Sequence, residues 1–468
     1  MSNHFRFRPF TLVALIVLLG LACNLTRYTA SDTPTPTSEL SPGNLTGEPP
    51  VPSELSATGE GGSALPGTGE PETAETETGE PEAATPPAGE LLVVYTKDGN
   101  LWRWQAGETQ QLTNTGDAYN PSLSPDGRTV AFLRPAGNFH TELWAIDLDG
   151  SNERRLVSIA DLDAIGGGVR DASAMAINPY HYAWVPGGRS LAFNTQQVFD
   201  GPGLSLLDDL NLVDADSGEI TNLLLAGWGG EFVYSPDGGQ VAISKPDSII
   251  LANADGSNYR EVLRYELVLT YSEYRFYAAP LWSPEGDFLR VVIPPVESLA
   301  QPAQPSALWK IPADGGEPTQ EGSVLAVPFF DQPVRYSPEL ERLAFLREIG
   351  EPSENRRELV LSTYDGNGQW TYASGPLMHF ESWSPDGRRF AYVLGDEQEA
   401  WFGSLEEAPE PMEGERFGVS NLQWVGLSRV IYVLQRGETF ELYLRDLEAG
   451  ARTLDITTGV PPVYSFIY

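Results

Sequence analysis

From residue 90 onward the chain alternates short apolar runs with polar, glycine-containing breaks, and one such pattern returns. Tyr119-Asn120-Pro121-Ser122-Leu123-Ser124-Pro125-Asp126-Gly127-Arg128-Thr129-Val130-Ala131-Phe132 is echoed at 231–243 and again at 381–392. Weaker copies are centred on Val185, Ser283, Ser337 and Val425. Taking Ser124, Ser235 and Ser384 as the other centres, successive copies lie 61, 50, 48, 54, 47 and 41 residues apart, the spacing of four-stranded propeller blades. The residue before each centre is aromatic in six of seven copies: Trp184, Tyr234, Trp282, Tyr336, Trp383 and Trp424, with Leu123 the exception.

Each unit parses into four strands. A first apolar strand ends at Ser-Pro-Asp-Gly, where proline pre-sets one turn dihedral and glycine accepts positive φ. A second strand has a Val-Ala-Phe type core, and a third is exemplified by Glu142-Leu143-Trp144-Ala145-Ile146. An Asp/Asn-Gly turn then leads to a fourth, such as Arg154-Arg155-Leu156-Val157. Turn signals between short β runs predict an all-β fold. Residues 92–113 supply strands two to four of a blade lacking its first, and Pro461-Pro462-Val463-Tyr464-Ser465-Phe466 resembles a first strand with nothing after it. Pairing these would close a ring of about eight blades and remove two sheet edges. Seven blades is the alternative, because the copies at Val185 and Val425 lack the Pro-Asp pair.

The Ser-Pro-Asp-Gly-Arg-x-x-Ala-Phe/Tyr repeat resembles the WD-like propeller repeats of TolB-like proteins and of prolyl oligopeptidase and dipeptidyl peptidase propellers. The resemblance covers 90–468 and implies a docking platform, gate or receptor. The peptidases of that group add an α/β-hydrolase domain; no Gly-x-Ser-x-Gly nucleophile elbow occurs here, so a peptidase reading is poor.

The first 89 residues have a different character. Arg6 and Arg8 precede an apolar run from Phe10 to Ala22, 13 residues against the ~20 that span a bilayer. Residues 1–22 are read as a signal peptide. The run ends Leu19-Gly20-Leu21-Ala22-Cys23, resembling a bacterial lipoprotein signal in which Cys23 is lipidated, although Gly20 stands where leucine is usual. Cleavage after Ala22 without lipid, or a short uncleaved anchor, are the alternatives. From 24 to 89 the chain is Thr, Pro, Glu, Gly, Ser and Ala, with Thr-Gly-Glu at 46–48, 58–60, 68–70 and 78–80. Such a segment lacks the apolar surface to offset ordering entropy and is expected to be a disordered tether, about 45 Å end to end as a flexible coil.

Charge sharpens the picture. The formal net charge is -36, with +2 in 1–23, -10 in 24–89 and -28 in the body. Three lysines, Lys97, Lys245 and Lys310, cannot build a basic stripe, so nucleic acid is not expected as a partner. A neutral, cationic or metal-bridged partner suits such a surface. One cysteine excludes an internal disulfide and Cys-rich metal cages.

Candidate chemistry is sparse. Asp147–Ser151, Asp214–Gly218, Asn253–Ser257 and Asp365–Gly368 look like fragments of calcium loops, but none continues to the glutamate an EF-hand needs, and a hairpin turn explains each. No metal or other cofactor is expected. His181 and His379 sit near first-strand tops without a partner at ligand spacing, and Glu231 and Glu381 are the acids at or next to those positions.

Loop length is more informative. If the Ser-Pro-Asp-Gly and Asp-Gly turns share one rim, the long segments 158–180, 195–208, 264–279, 294–306 and 347–357 fall on the other, where binding usually lives. Tyr265, Tyr271, Tyr274, Phe276 and Tyr277 crowd one link; Phe329 and Phe330 lie in another. With His181, Glu231 and Glu381 they form the candidate binding rim, the alternative for the rings being that they cap the gaps between blades. The sequence thus predicts a monomeric, lipid-anchored extracytoplasmic propeller that binds a protein, peptide or glycan without catalysis. A carboxylate-based hydrolase or lyase on glycans, and a structural envelope protein with no discrete ligand, are the competing readings.

Overall fold

Burial on both faces explains the uninterrupted apolar second strands. Val130 and Phe132 point to one neighbouring blade and Ala131 and Leu133 to the other. The computed structural model describes residues 90–201, 204–300, 302–326 and 334–468; the signal, Cys23, the tether, Phe329 and Phe330 lie outside them. Eight antiparallel blades form a β-propeller, and eight apolar clusters fill the eight blade-to-blade interfaces. The count is eight rather than seven. The composite blade is as expected: the C-terminal strand Tyr464–Ile467 pairs antiparallel with Leu92–Lys97, followed by Asn100–Gln105 and Glu108–Gln111.

The recurring serines and aromatics have mechanical reasons. Ser124, Ser235, Ser283, Ser337 and Ser384 are all at most 2% exposed. Each hydroxyl accepts from the backbone N–H that opens its second strand, as Thr129 N to Ser124 Oγ at 2.9 Å and Arg389 N to Ser384 Oγ at 2.9 Å. The same hydroxyl donates to the turn aspartate, Asp126, Asp237 or Asp386, at 2.6 Å. The aromatic before the serine stitches blades together: the indole N–H of Trp184, Trp282 and Trp383 donates to the carbonyls of Ser122, Val233 and Arg335 one blade back. Each acceptor lies two residues before its own turn serine, so the bond repeats with the blade.

One pH dependence follows. The Ser235 hydroxyl and the Gly239 N–H hold the Asp237 carboxyl below its ordinary 3.8. A carboxylate depressed in the folded state stabilises above the unfolded pKa, and that contribution is lost as pH falls through the lower folded value. Asp237→Asn is therefore expected to lower the thermal midpoint at pH 6, with the difference from wild type shrinking below pH 3.8. Thermal scans from pH 3 to 6 test this; a difference that widens on acidification contradicts it.

Antiparallel pairing puts the Ser-Pro-Asp-Gly turns and the third-to-fourth-strand turns on one rim. The calcium-like segments lie in those latter turns, where Asp149 and Asp255 accept the backbone N–H of Ser151 and Ser257. Strand Leu92–Lys97 runs opposite to the inner strands, so it starts on this same rim.

The opposite rim is built differently from a set of simple loops. Residues 158–180 contain a helix, α1 (Ile159–Gly166), and the first half of the inner strand Ala176–Trp184. A capping box between Ser158 and Asp161 starts α1, and Leu162 is fully buried between the first two complete blades. Segment 195–208 extends strand Ser190–Val198 and adds a short strand, Leu204–Leu206. Segment 347–357 prolongs the hairpin Arg342–Ile349 and Arg356–Thr363. Only 264–279 and 294–306 remain mostly irregular, and a parallel bridge joins them at Leu269 and Glu297.

Candidate functional site

The irregular pair 264–279 and 294–306 overhangs a cavity of about 560 Å³ on the elaborated rim. Its polar side begins at an inner-strand bulge. The register of Ala176–Trp184 shifts between Pro179 and Tyr182, and the extra residues place Tyr180 and His181 at the cavity. His181 Nδ1 lies 3.1 Å from Glu231 Oε2, and its ring stacks on Phe232 with centroids 4.8 Å apart. The His181 N–H is held by Asn194 Oδ1 at 2.9 Å, while Asn194 Nδ2 donates to Gly230 O at 2.8 Å. Burial, then the charge and hydrogen bond of Glu231, raise the Tyr180 hydroxyl above its ordinary value. Glu231 is thus an acceptor shared between an imidazole and a phenol.

A second polar group flanks it. Tyr277 OH donates to Asp208 Oδ1 at 2.7 Å, and the Arg275 guanidinium approaches Asp208 Oδ2 at 3.7 Å. Asp208 adopts φ 50, uncommon outside glycine and asparagine-like residues. Burial pushes its carboxyl upward against the Tyr277 hydrogen bond and the Arg275 charge. Asp209 beside it is buried and also raised, although Asn211, and the N–H and hydroxyl of Thr195, all donate to it. Gly229 lets the next blade pass close to these groups, since a Cβ there would sit 2.2 Å from the Asp209 carbonyl carbon, while a Cβ on Gly230 would lie 2.1 Å from Ser244 O of its own blade.

The lining also includes the apolar Phe276, Pro280, Leu281, Pro294 and Pro295, together with Arg335. Arg335 keeps contact with solvent, yet crowding by protein atoms pulls its pKa down, opposed by the field of Glu381.

The structure divides the expected rim residues. His181, Glu231, Phe276 and Tyr277 come together at the cavity. Tyr265 turns inward instead: its hydroxyl donates to Lys245 O at 2.7 Å and its ring packs edge-on against Phe276, so it caps the gap between blades. Tyr271 stands exposed on the overhang with its hydroxyl on Glu297, and Tyr274 contributes its carbonyl to Thr270 Oγ1 at 2.5 Å. Glu381 is not a cavity residue; its carboxylate accepts from Leu422 N at 3.3 Å in the next blade, and burial raises its pKa. Sequence reasoning missed Tyr180, Asp208, Arg275 and Arg335. Arg275 lies inside the aromatic link, and Arg335 stands two residues before a turn serine, so both were within reach; nothing local marks Asp208.

No family model matches the chain. A stretch of 53 residues, 11% of this chain and 12% of the relative, is 51% identical to the Tol-Pal system protein TolB of Zymomonas mobilis subsp. mobilis. Among solved structures, TolB from Acinetobacter baumannii is similar at 12% identity and TM-score 0.32, over 60% of this chain and 62% of that one. Porphyromonas gingivalis dipeptidyl peptidase 4 is similar at 13% identity and TM-score 0.48, over 72% and 53%. In each case less than two thirds of the relative's length is covered. The chain is similar to TolB over those 53 residues, and its fold is an eight-bladed propeller.

Proposed function

We propose that this protein is an exported, lipid-anchored propeller that binds a segment of a partner protein on its elaborated rim, without catalysis. The observation that carries this reading is an apolar crest beside the cavity. Leu267, Leu269, Tyr271, Leu281, Leu299 and Leu325 are 42–61% exposed, six of the twenty large exposed hydrophobic residues among those described. Exposed apolar side chains on the segments that also line a mixed polar cavity suit a protein ligand better than a sugar. The crest is also held rigid: Leu269 N donates to Val296 O at 2.9 Å and Ser298 Oγ to Leu269 O at 3.1 Å, so little ordering entropy opposes docking.

The N-terminal segments support the rest of the reading. A cysteine after an apolar run and an acidic Pro/Thr/Glu-rich tether fit an anchor and a spacer. Strand Leu92–Lys97 starts on the short-turn rim, opposite the rim that carries the crest and cavity.

Crosslinking and affinity capture with the full chain test the proposal, comparing wild type with Leu267→Ser/Tyr271→Ser. Both side chains are exposed, so the fold is expected to persist, and partner capture is expected to fall at least tenfold. Undiminished capture by the double variant overturns the reading. Replacing the whole 264–279 link is a poor test, since Tyr265 and Phe276 pack on the apolar cluster between two blades.

A further inference from the structure

The charge inside the cavity runs against the charge of the molecule. The chain carries -36, yet the cavity wall presents two guanidiniums, Arg275 and Arg335, and one carboxylate, Glu231. Glu231 is engaged by His181 and Tyr180. Arg275 is 67% exposed along its side chain and only approaches Asp208, at 3.7 Å. Arg335 makes no ion pair with a described residue. The acid whose field it feels, Glu381, accepts the Leu422 N–H at 3.3 Å and makes no ion pair with Arg335.

Arg335 is also well placed. Its backbone carbonyl is fixed by the Trp383 indole at 3.3 Å, and the following Tyr336 is buried, so the guanidinium projects from a rigid inner strand. The same cavity is lined by Val334, Ala326, Pro294 and Pro295, with the polar Gln304 and Ser306. A planar guanidinium favours bidentate pairing with a carboxylate, and an adjoining apolar wall favours a bulky side chain on the same ligand.

We infer that the cavity takes a peptide carboxylate adjacent to an apolar side chain, with Arg335 pairing the carboxylate and the Pro294–Pro295 wall holding the side chain. This rests on the reading of the elaborated rim as a protein-binding surface and specifies what that surface selects. The carboxylate can be a free C-terminus or an aspartate flanked by apolar residues, and the two sources share this chemistry.

Titration calorimetry with the full-length protein and three probes tests it. The probes are acetyl-Ala-Pro-Ala-Phe with a free carboxylate, the same peptide as its amide, and the amide acetyl-Ala-Pro-Asp-Phe. One or both carboxylate peptides are expected to bind at least tenfold tighter than the neutral amide, and which of them does identifies the source. Arg335→Gln is expected to bring all three within about twofold while lowering the thermal midpoint only slightly, since the guanidinium makes no ion pair with a described residue and loses only its field at Glu381. Equal binding of all three peptides to wild type overturns the carboxylate inference and leaves the rim reading intact. Binding of none, together with undiminished capture by the crest variant, removes both.

Discussion

A chain truncated after Pro462 is expected to lose cooperative folding and to associate. The missing strand Tyr464–Ile467 is the inner strand of the composite blade and pairs residue for residue with Leu92–Tyr95. Tyr464 is 6% exposed, packs with the preceding blade, and donates its hydroxyl to the Asn421 carbonyl there. Ser465 Oγ accepts from Leu123 N at 3.1 Å in the following blade, so the strand ties both neighbours. Burying Tyr464 contributes roughly 1.5–3 kcal/mol, and the half-buried Phe466 and Ile467 about half as much each. Their loss, together about 3–6 kcal/mol, is a large part of the 5–15 kcal/mol typical of a domain. The deletion also frees the edge of Leu92–Lys97, a template for intermolecular pairing. Size-exclusion chromatography and a thermal scan decide the matter; a monomer melting within a degree or two of wild type contradicts it.

Gly230→Ala is expected to cost about 3 kcal/mol, lowering the thermal midpoint by roughly 5 °C. Gly230 has φ 155, and an added Cβ would lie 2.1 Å from the Ser244 carbonyl oxygen, a backbone atom that cannot rotate away. Its own carbonyl accepts from Asn194, which also positions the His181 backbone, and it directly precedes Glu231. Relief of the clash must therefore move the polar side of the cavity, and peptide binding is expected to weaken more than stability alone explains. Gly437→Ala is the control: Gly437 has φ 63 with nothing within 4 Å of its missing Cβ, so about 1 kcal/mol is expected there. Equal effects of the two substitutions would mean that positive φ, and not the Ser244 contact, dominates at Gly230.

The propeller was legible in the sequence because its determinants are local and repeated. A turn serine, a turn glycine and a two-faced apolar strand recur in register, and even the ring closure followed from counting which strands each terminus lacks. Helix α1 was missed although Ser158 and Asp161 form a capping box, because one short helix inside a long link leaves little periodicity. The site was legible only in part. His181 and Glu231 were visible through their place on first strands, but what joins them is a bulge at Tyr180 and His181, and a one-residue register shift leaves no trace in composition. Asp208 meets Tyr277 across 69 residues, a contact that only the blade order creates. Tyr265 and Tyr271 look alike in sequence, yet one seals an interface and the other stands in solvent. Their separation depends on where the link leaves the last strand of its blade.

The way the ring closes also determines how the molecule bears load. Strand Leu92–Lys97 is gripped along both edges, by four register pairs to Tyr464–Ile467 and six to Asn100–Gln105. Tension arriving through the segment before Glu90 acts along that strand, parallel to its axis and across the direction of its hydrogen bonds. Both ladders are then sheared at once instead of being peeled bond by bond. A force between a partner held on the far rim and the N-terminal side would thus meet the blade in its strongest orientation, and the C-terminal strand would serve as a mechanical clasp.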